Sequence, residues 1–243
     1  LLSNFIGEKL IALEIENHGI KVSENSLFDC YEAMTAQLDL KNERPFKQYS
    51  KVEILQAITT ALSYKSLYGY PDIEIATLGF NELSCRGKPG KARQLLKNAG
   101  WEPIPWLSKA RKGLELLDPP SKGNYRGRLY VILMCGYSKE NGTYGAYVGS
   151  TSKTPEERFK EHKAGGKTAG RAIKGRGIQL LRSIDWPWRG VPGGKPILTH
   201  YESALNHALR HSGIKVRGDE TAPLNWDDGF QPKLRDELCN GSK

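Results

Sequence analysis

The sequence predicts an α+β fold in two parts, and three observations carry that prediction: helical periodicity in the first half, β-branched and aromatic runs in the second, and a proline-containing break between them. Residues 1–116 read as a mainly α-helical N-terminal domain, 117–126 as a linker, and 127–243 as a second domain in which a small sheet is flanked by helices. With 243 residues the chain is long enough to build two cores. Hydrophobic residues at 38% and charged residues at 26% suit a globular protein, with no repeat or low-complexity tract.

The N-terminal elements follow from apolar spacing. Phe5, Ile6, Leu10, Leu13 and Ile15 predict one amphipathic helix ending near Gly19, and Leu27, Phe28, Tyr31, Met34 and Leu38 predict a second. A third begins at Ser50, whose hydroxyl can cap the helix while Glu53 returns the bond, and continues through Ile54, Leu55, Ile58 and Leu62. After Tyr70-Pro71 a short helix is expected around Phe80 to Cys85. The stretch RGKPGKARQLLKNAGW then gives a Gly/Pro turn and a basic helix stopping at Gly100. Helix, tight turn and basic helix form a weak helix-turn-helix signal, which makes Arg86, Lys91 and Arg93 candidate DNA contacts; a polar turn in a helical bundle is the alternative. LLDPPSKGN, residues 116–124, suits neither helix nor sheet.

Beyond it the period changes. RLYVILMC, residues 128–135, and YGAYVGST, residues 144–151, are strand-like and predict a hairpin. Thr154, Pro155 and Glu157 form a T-x-x-E capping box with Pro at the first helical position, so a helix begins there and runs to about Ala164. Arg158 and His162, four residues apart, share a face of it. GIQLLRSIDW, residues 177–186, is the expected third strand. A capped helix over ILTHYESALNHALRHSG has Tyr201, Ala204, Leu205, Ala208 and Leu209 as its buried stripe. The tail from Gly218 reads as loop.

Charge separates the halves. Residues 1–120 hold 15 Lys/Arg and 15 Asp/Glu, whereas 121–243 hold 21 and 12, which supplies the whole formal net charge of +9. Between Arg158 and Lys195 lie ten basic residues against Glu161 and Asp185, a pattern that suits a polyanion or a solvated basic surface. The longest apolar run, Leu129 to Cys135, is too short to cross a bilayer, so no membrane role is expected. Cys30, Cys85, Cys135 and Cys239 are scattered without metal-site spacing and read as reduced thiols of a cytoplasmic protein.

RLYVI in the first strand and AYVGSTSKTPEERFKEH across the second strand and its helix resemble the two motifs and catalytic helix of the GIY-YIG nuclease family, over about residues 127–226. Leu129, Arg128 and Val148 stand where the family motifs have Ile, Gly and Ile. The resemblance implies a small three-stranded antiparallel sheet flanked by helices that hydrolyses a phosphodiester bond with one Mg²⁺ (or Mn²⁺) ion per active site. It implies Tyr130 and Tyr147 as the motif tyrosines, Gly149 as the structural motif glycine, Arg158 as the catalytic arginine, and Glu202 as the metal carboxylate. Asn225 takes the place of the late asparagine, and His162 a position that touches the scissile phosphate in some members. Lys153, Lys160, Lys163, Lys167, Arg171, Lys174 and Arg176 join Asn225 as candidate contacts to double-stranded DNA.

The chemistry suits these residue types. Arg158 has the planar donor fork that fits two phosphate oxygens, and removing one such stabiliser costs on the order of 10²- to 10³-fold in rate. A single carboxylate leaves most of a hard cation's shell to water and phosphate. A phenolate at pH 7 costs about 4 kcal/mol unless nearby cations lower its pKa, so Tyr130 as base needs help from Tyr147, Lys153, Arg158 or the metal, and cleavage would then accelerate from pH 6 toward 9. Each residue also has an ordinary explanation. The tyrosines can be sheet packing, Glu202 can close a T-x-x-E cap with Thr199, His162 can be a surface histidine, and Gly149 can merely relieve crowding.

These features predict a DNA endonuclease, foremost a site-specific enzyme of restriction type. A homing-type enzyme, a low-specificity DNase serving as a toxin or in phage defence, and a catalytically inactive DNA-binding regulator are the alternatives. A palindromic target would call for a homodimer or higher homo-oligomer.

Overall fold

The computed structural model describes residues 24–64, 69–114, 117, 126–136, 142, 144–165, 173, 175–185, 189–191 and 195–218. The helix expected over 5–19, nearly all of the linker, and the tail beyond Gly218 lie outside them. The chain is α+β, with eight helices and a mixed five-stranded sheet among the described residues. It divides into two compact units, 1–104 and 105–243. This division falls ahead of the predicted boundary at 116, because the helix Leu107–Gly113 packs in the second unit: Ser212 and Ala208 crowd against Gly113.

The first unit contains α1 (Glu24–Gln37), α2 (Lys51–Ser63), α3 (Ile73–Cys85) and α4 (Gly90–Asn98). The capping box at α2 forms as predicted: Ser50 N–H donates to Glu53 Oε2 at 2.7 Å and Glu53 N–H to Ser50 Oγ at 3.3 Å. Where the sequence predicted a short helix near Phe80, α3 starts at Ile73. Asp72 supplies its cap, accepting from Ile75 N–H at 3.0 Å, and the β-branched Ile73 and Ile75 are helical because both are fully buried. Burial outweighs their weak local preference for a strand. Gly79 lets α3 approach α2, since a Cβ there would lie 2.8 Å from Ile58 Cγ1.

Arg86 is committed within this unit. Its guanidinium donates to Glu82 Oε1 at 2.6 Å and to the carbonyls of Tyr49, Phe46 and Lys47 at 2.8, 3.0 and 2.9 Å, while Arg44 holds the same carboxylate at 2.9 and 2.8 Å. Burial pushes the Glu82 carboxyl up, but hydrogen bonds and charge from Arg44 and Arg86 hold it below the ordinary range. Arg86 is therefore a structural residue, and its assignment as a DNA contact is withdrawn. Lys91 and Arg93 are exposed on α4, with Arg93 lying 5.6 Å from the Phe80 ring centroid.

The second unit contains α5 (Leu107–Gly113), β1 (Gly127–Cys135), β2 (Tyr144–Thr151), α6 (Pro155–Ala164), β3 (Gly177–Leu180), α7 (Arg182–Asp185), β4 (Arg189–Val191), α8 (Lys195–His211) and β5 (Val216–Arg217). The predicted hairpin forms: β1 and β2 pair antiparallel from Arg128↔Thr151 to Cys135↔Tyr144. The expected third strand over 177–186 is shorter than predicted. It stops at Leu180; Leu181 N–H reaches Val131 O at 2.8 Å, the chain makes the single turn α7, and β4 then returns to pair with the start of β1. The sheet is also larger than the three antiparallel strands expected, because β5 adds a parallel strand beside β2 after α8 has crossed over. The stripe predicted on α8 is buried, and no helix among the described residues is long and apolar enough to cross a membrane.

Arg86→Ala is expected to destabilise the first unit by about 1 to 3 kcal/mol, because it leaves three carbonyls without their donor and the buried Glu82 carboxylate with Arg44 as its remaining cation. Lys91→Ala, at an exposed site, is expected to stay within about 0.5 kcal/mol. Chemical denaturation of the two variants measures the difference.

Candidate active site

The site is built on one face of the β1–β2 hairpin. Cross-strand partners share a face, so the pairings Tyr130↔Gly149 and Ile132↔Tyr147 put both tyrosines on the same side of the sheet. Gly149 does more than relieve crowding in general. A Cβ there would collide with the Tyr130 hydroxyl, lie 2.6 Å from Tyr130 Cζ and 2.9 Å from Tyr147 Cε1, so its hydrogen is what lets the two rings sit 6.3 Å apart.

The helix α6 closes this face. Its capping box forms as predicted, with Thr154 N–H donating to Glu157 Oε2 at 2.9 Å and Glu157 N–H to Thr154 Oγ1 at 3.1 Å, and Gly165 ends it at φ 75°. The register set by this cap buries Phe159 and His162 and leaves Arg158 half-buried beside them. His162 is not a surface histidine. It is 0% exposed, and its Nε2 lies 2.8 Å from the Tyr130 hydroxyl.

The proton roles in this pair follow from Arg158. Arg158 also hydrogen-bonds the Tyr130 hydroxyl, and a guanidinium can only donate. The Tyr130 proton is then directed to His162 Nε2, which accepts. Burial, followed by the Arg158 charge, lowers the His162 pKa to about 4, so the imidazole is neutral at pH 7 and able to accept. Burial and the neighbouring Tyr147 push the Tyr130 pKa well above its ordinary value, against the pull of Arg158. The phenolate considered from sequence is therefore disfavoured here. The Tyr130–His162 pair replaces it as the group able to take a proton.

Glu161 is a site residue that the sequence reasoning passed over. Its carboxylate accepts from Arg158 Nη1 at 2.9 Å and also pairs with the Lys153 ammonium, and these bonds hold its pKa below the ordinary carboxylate range. Three-residue spacing on α6 was the available signal, masked by the surrounding positive charge. Lys153 thus orients Glu161, and Glu161 orients Arg158.

Glu202 lies on α8 and is 7% exposed, close enough for its charge to raise the Tyr130 pKa. The capping alternative for Glu202 does not hold. Thr199 sits inside α8, and its hydroxyl donates to Lys195 O at 2.9 Å instead. A divalent cation fits this corner in donor chemistry, with a hard carboxylate oxygen in a largely buried setting and, one turn further along, Asn206 amide atoms that are unpaired among the described residues. Among the described residues no group of three or more His, Cys, Asp or Glu gathers, so protein carboxylates would fill little of the ion's shell.

The basic candidates divide. Lys160 and Arg176 are exposed, whereas Lys163 donates to Gly177 O at 2.9 Å, with burial lowering its pKa, and so ties α6 to β3. Lys167, Arg171, Lys174 and Asn225 lie outside the described residues.

Gly149→Ala is expected to cost about 1 to 3 kcal/mol through overpacking against Tyr130 and Tyr147, measured by denaturant midpoint. Gly136→Ala, at an open turn with φ 63°, provides the comparison in which strain acts without collision. The chain matches no protein-family model, no curated protein and no solved structure.

Proposed function

We propose that this chain is a metal-dependent DNA endonuclease of the GIY-YIG type, acting at selected sites in the manner of a restriction enzyme. The observation that carries the reading is the buried Tyr130 hydroxyl, 2.8 Å from a neutral His162, bonded to Arg158 and flanked by Tyr147. A sheet that needed only an aromatic filler would not require a hydroxyl bracketed by an acceptor and a cation. The net charge of +9, all of it from residues 121–243, supports a polyanion such as DNA as the partner.

In this mechanism Tyr130 takes a proton from the attacking water while passing its own to His162 Nε2, so the hydroxyl never has to exist as a free phenolate. Tyr147, at the edge of the His162 ring with centroids 5.8 Å apart, keeps that ring in place. Arg158, steadied by Glu161, offers its remaining donors to the non-bridging oxygens as negative charge builds on phosphorus. Mg²⁺ held at Glu202 would supply further charge stabilisation on phosphate and on the departing oxygen.

Supercoiled plasmid incubated with the protein is expected to be cut only with Mg²⁺ or Mn²⁺. Arg158→Ala, Tyr130→Phe and Glu202→Ala should each abolish cutting while DNA affinity stays within a few fold. No cutting by the wild type under any divalent cation would leave the regulator reading in its place. The rate at saturating DNA is expected to be flat from pH 6 to 9 and to fall as the pH drops toward the His162 pKa of about 4, since protonated His162 accepts nothing. A rise from pH 6 to 9 would instead assign the base role to a phenolate.

The helical unit is proposed to refine site choice through Lys91 and Arg93. A fragment beginning at Pro105, which keeps α5 with the second unit, is expected to cleave with a broadened set of sites; sequencing of the cut ends reads this out. Unchanged discrimination would move recognition into the second unit.

A further inference from the structure

Asn206 is 1% exposed, yet neither its amide nitrogen nor its amide oxygen has a hydrogen-bond partner among the described residues. A buried polar atom left unsatisfied carries its full desolvation cost, and a carboxamide contributes two such atoms. Leucine has the same branching and number of side-chain heavy atoms, though it is bulkier, and would remove that cost on a helix whose other buried positions include Ala204, Leu205, Ala208 and Leu209. An amide kept there against the stability of its own helix points to a ligand.

Its position says which ligand. Asn206 follows Glu202 by four residues on α8, so the two side chains lie on one face, about 5 to 6 Å apart at Cβ. The same i,i+4 spacing brings two helix side chains onto one metal ion in helical metal sites. Gly218 packs close against the amide and the β2 backbone: a Cβ on Gly218 would lie 2.9 Å from Asn206 Nδ2 and 2.7 Å from Val148 O. An amide with no hydrogen-bond partner gives up no bond when its oxygen turns toward a cation. Hard divalent cations take carboxylate, amide and carbonyl oxygens together.

We infer that Asn206 is a second protein ligand for the divalent cation, its Oδ1 and the Glu202 carboxylate holding the ion between adjacent turns of α8. The inference rests on the metal-dependent reading above and adds to it a neutral ligand. With a neutral amide as partner, the pair carries a single negative charge, which favours an ion held loosely enough to be shared with phosphate.

The test is Mn²⁺ binding to the full-length protein without DNA, by calorimetric titration, alongside thermal unfolding in chelator. Asn206→Leu is expected to lose about tenfold or more in Mn²⁺ affinity while unfolding in chelator at or above the wild-type temperature. Asn206→Asp, which keeps the shape and adds a charge, is expected to bind Mn²⁺ more tightly than wild type, and it serves even if the leucine variant fails to fold. Mn²⁺ affinity unchanged in Asn206→Asp, or in a folded Asn206→Leu, overturns the inference, while weakened binding in Glu202→Gln keeps the metal reading intact. If Glu202→Gln binds Mn²⁺ as wild type does, the metal assignment of Glu202 falls and the inference falls with it.

Discussion

A phenol hydroxyl cannot be buried in the middle of a sheet face without partners, and the second unit is organised around meeting that requirement for Tyr130. Gly149 is opposite because any side chain there would occupy the ring's place. Burial of His162 follows, since an acceptor must reach the hydroxyl from above the sheet, and α6 is the element that can bring one. The capping box at Thr154 and Glu157 sets the register of α6, so one surface cap decides which side chain points down at Tyr130. Arg158 and Phe159 fall into place from the same register, the first at the hydroxyl and the second against Gly177 of β3.

Electrostatics in this cluster run through neighbours. His162 is neutral at pH 7 because it is buried and because Arg158 is beside it, and Arg158 is held by Glu161, which Lys153 holds in turn. The exposed ends of that chain contribute little to stability, as surface ion pairs generally do. Their effect is orientation: a long arginine side chain with one nitrogen anchored has fewer conformations in which to miss its target. The first unit shows the opposite use of arginine. There Arg44 and Arg86 converge on the buried Glu82, and Arg86 also gathers three carbonyls from the segment ahead of α2, so charge serves to close a loop onto a helix.

Local signals in the chain succeeded where the cause was local. Ser50/Glu53 and Thr154/Glu157 are capping boxes because each side chain reaches a backbone group three residues away, a distance fixed by the helix alone. The β1–β2 hairpin was legible from its runs of β-branched and aromatic residues, and the buried stripe of α8 from its period. Signals failed where a distant partner outweighed them. The helix predicted only near Phe80 begins at Ile73 because full burial of Ile73 and Ile75 outweighs their weak helix propensity, and the strand expected to continue past Leu180 turns into α7 once Leu181 has bonded Val131. Arg86 sat in a basic turn that resembled a groove-binding element, and nothing nearby in sequence announces carbonyls 37 to 40 residues away.

By itself, then, the sequence determined the α+β class, the caps, the hairpin and the gathering of Tyr130, Tyr147, Arg158 and His162 onto adjoining elements, because all of these depend on periods and contacts within a few residues. Tertiary structure alone decided that His162 faces inward as an acceptor, that Glu202 is no capping residue, that β5 adds a parallel strand, and that Asn206 is buried with both amide atoms unpaired among the described residues. The physical reason is common to all four. Burial and hydrogen-bond satisfaction are properties of what surrounds a group, and here the surroundings come from elements that meet only when the chain has folded.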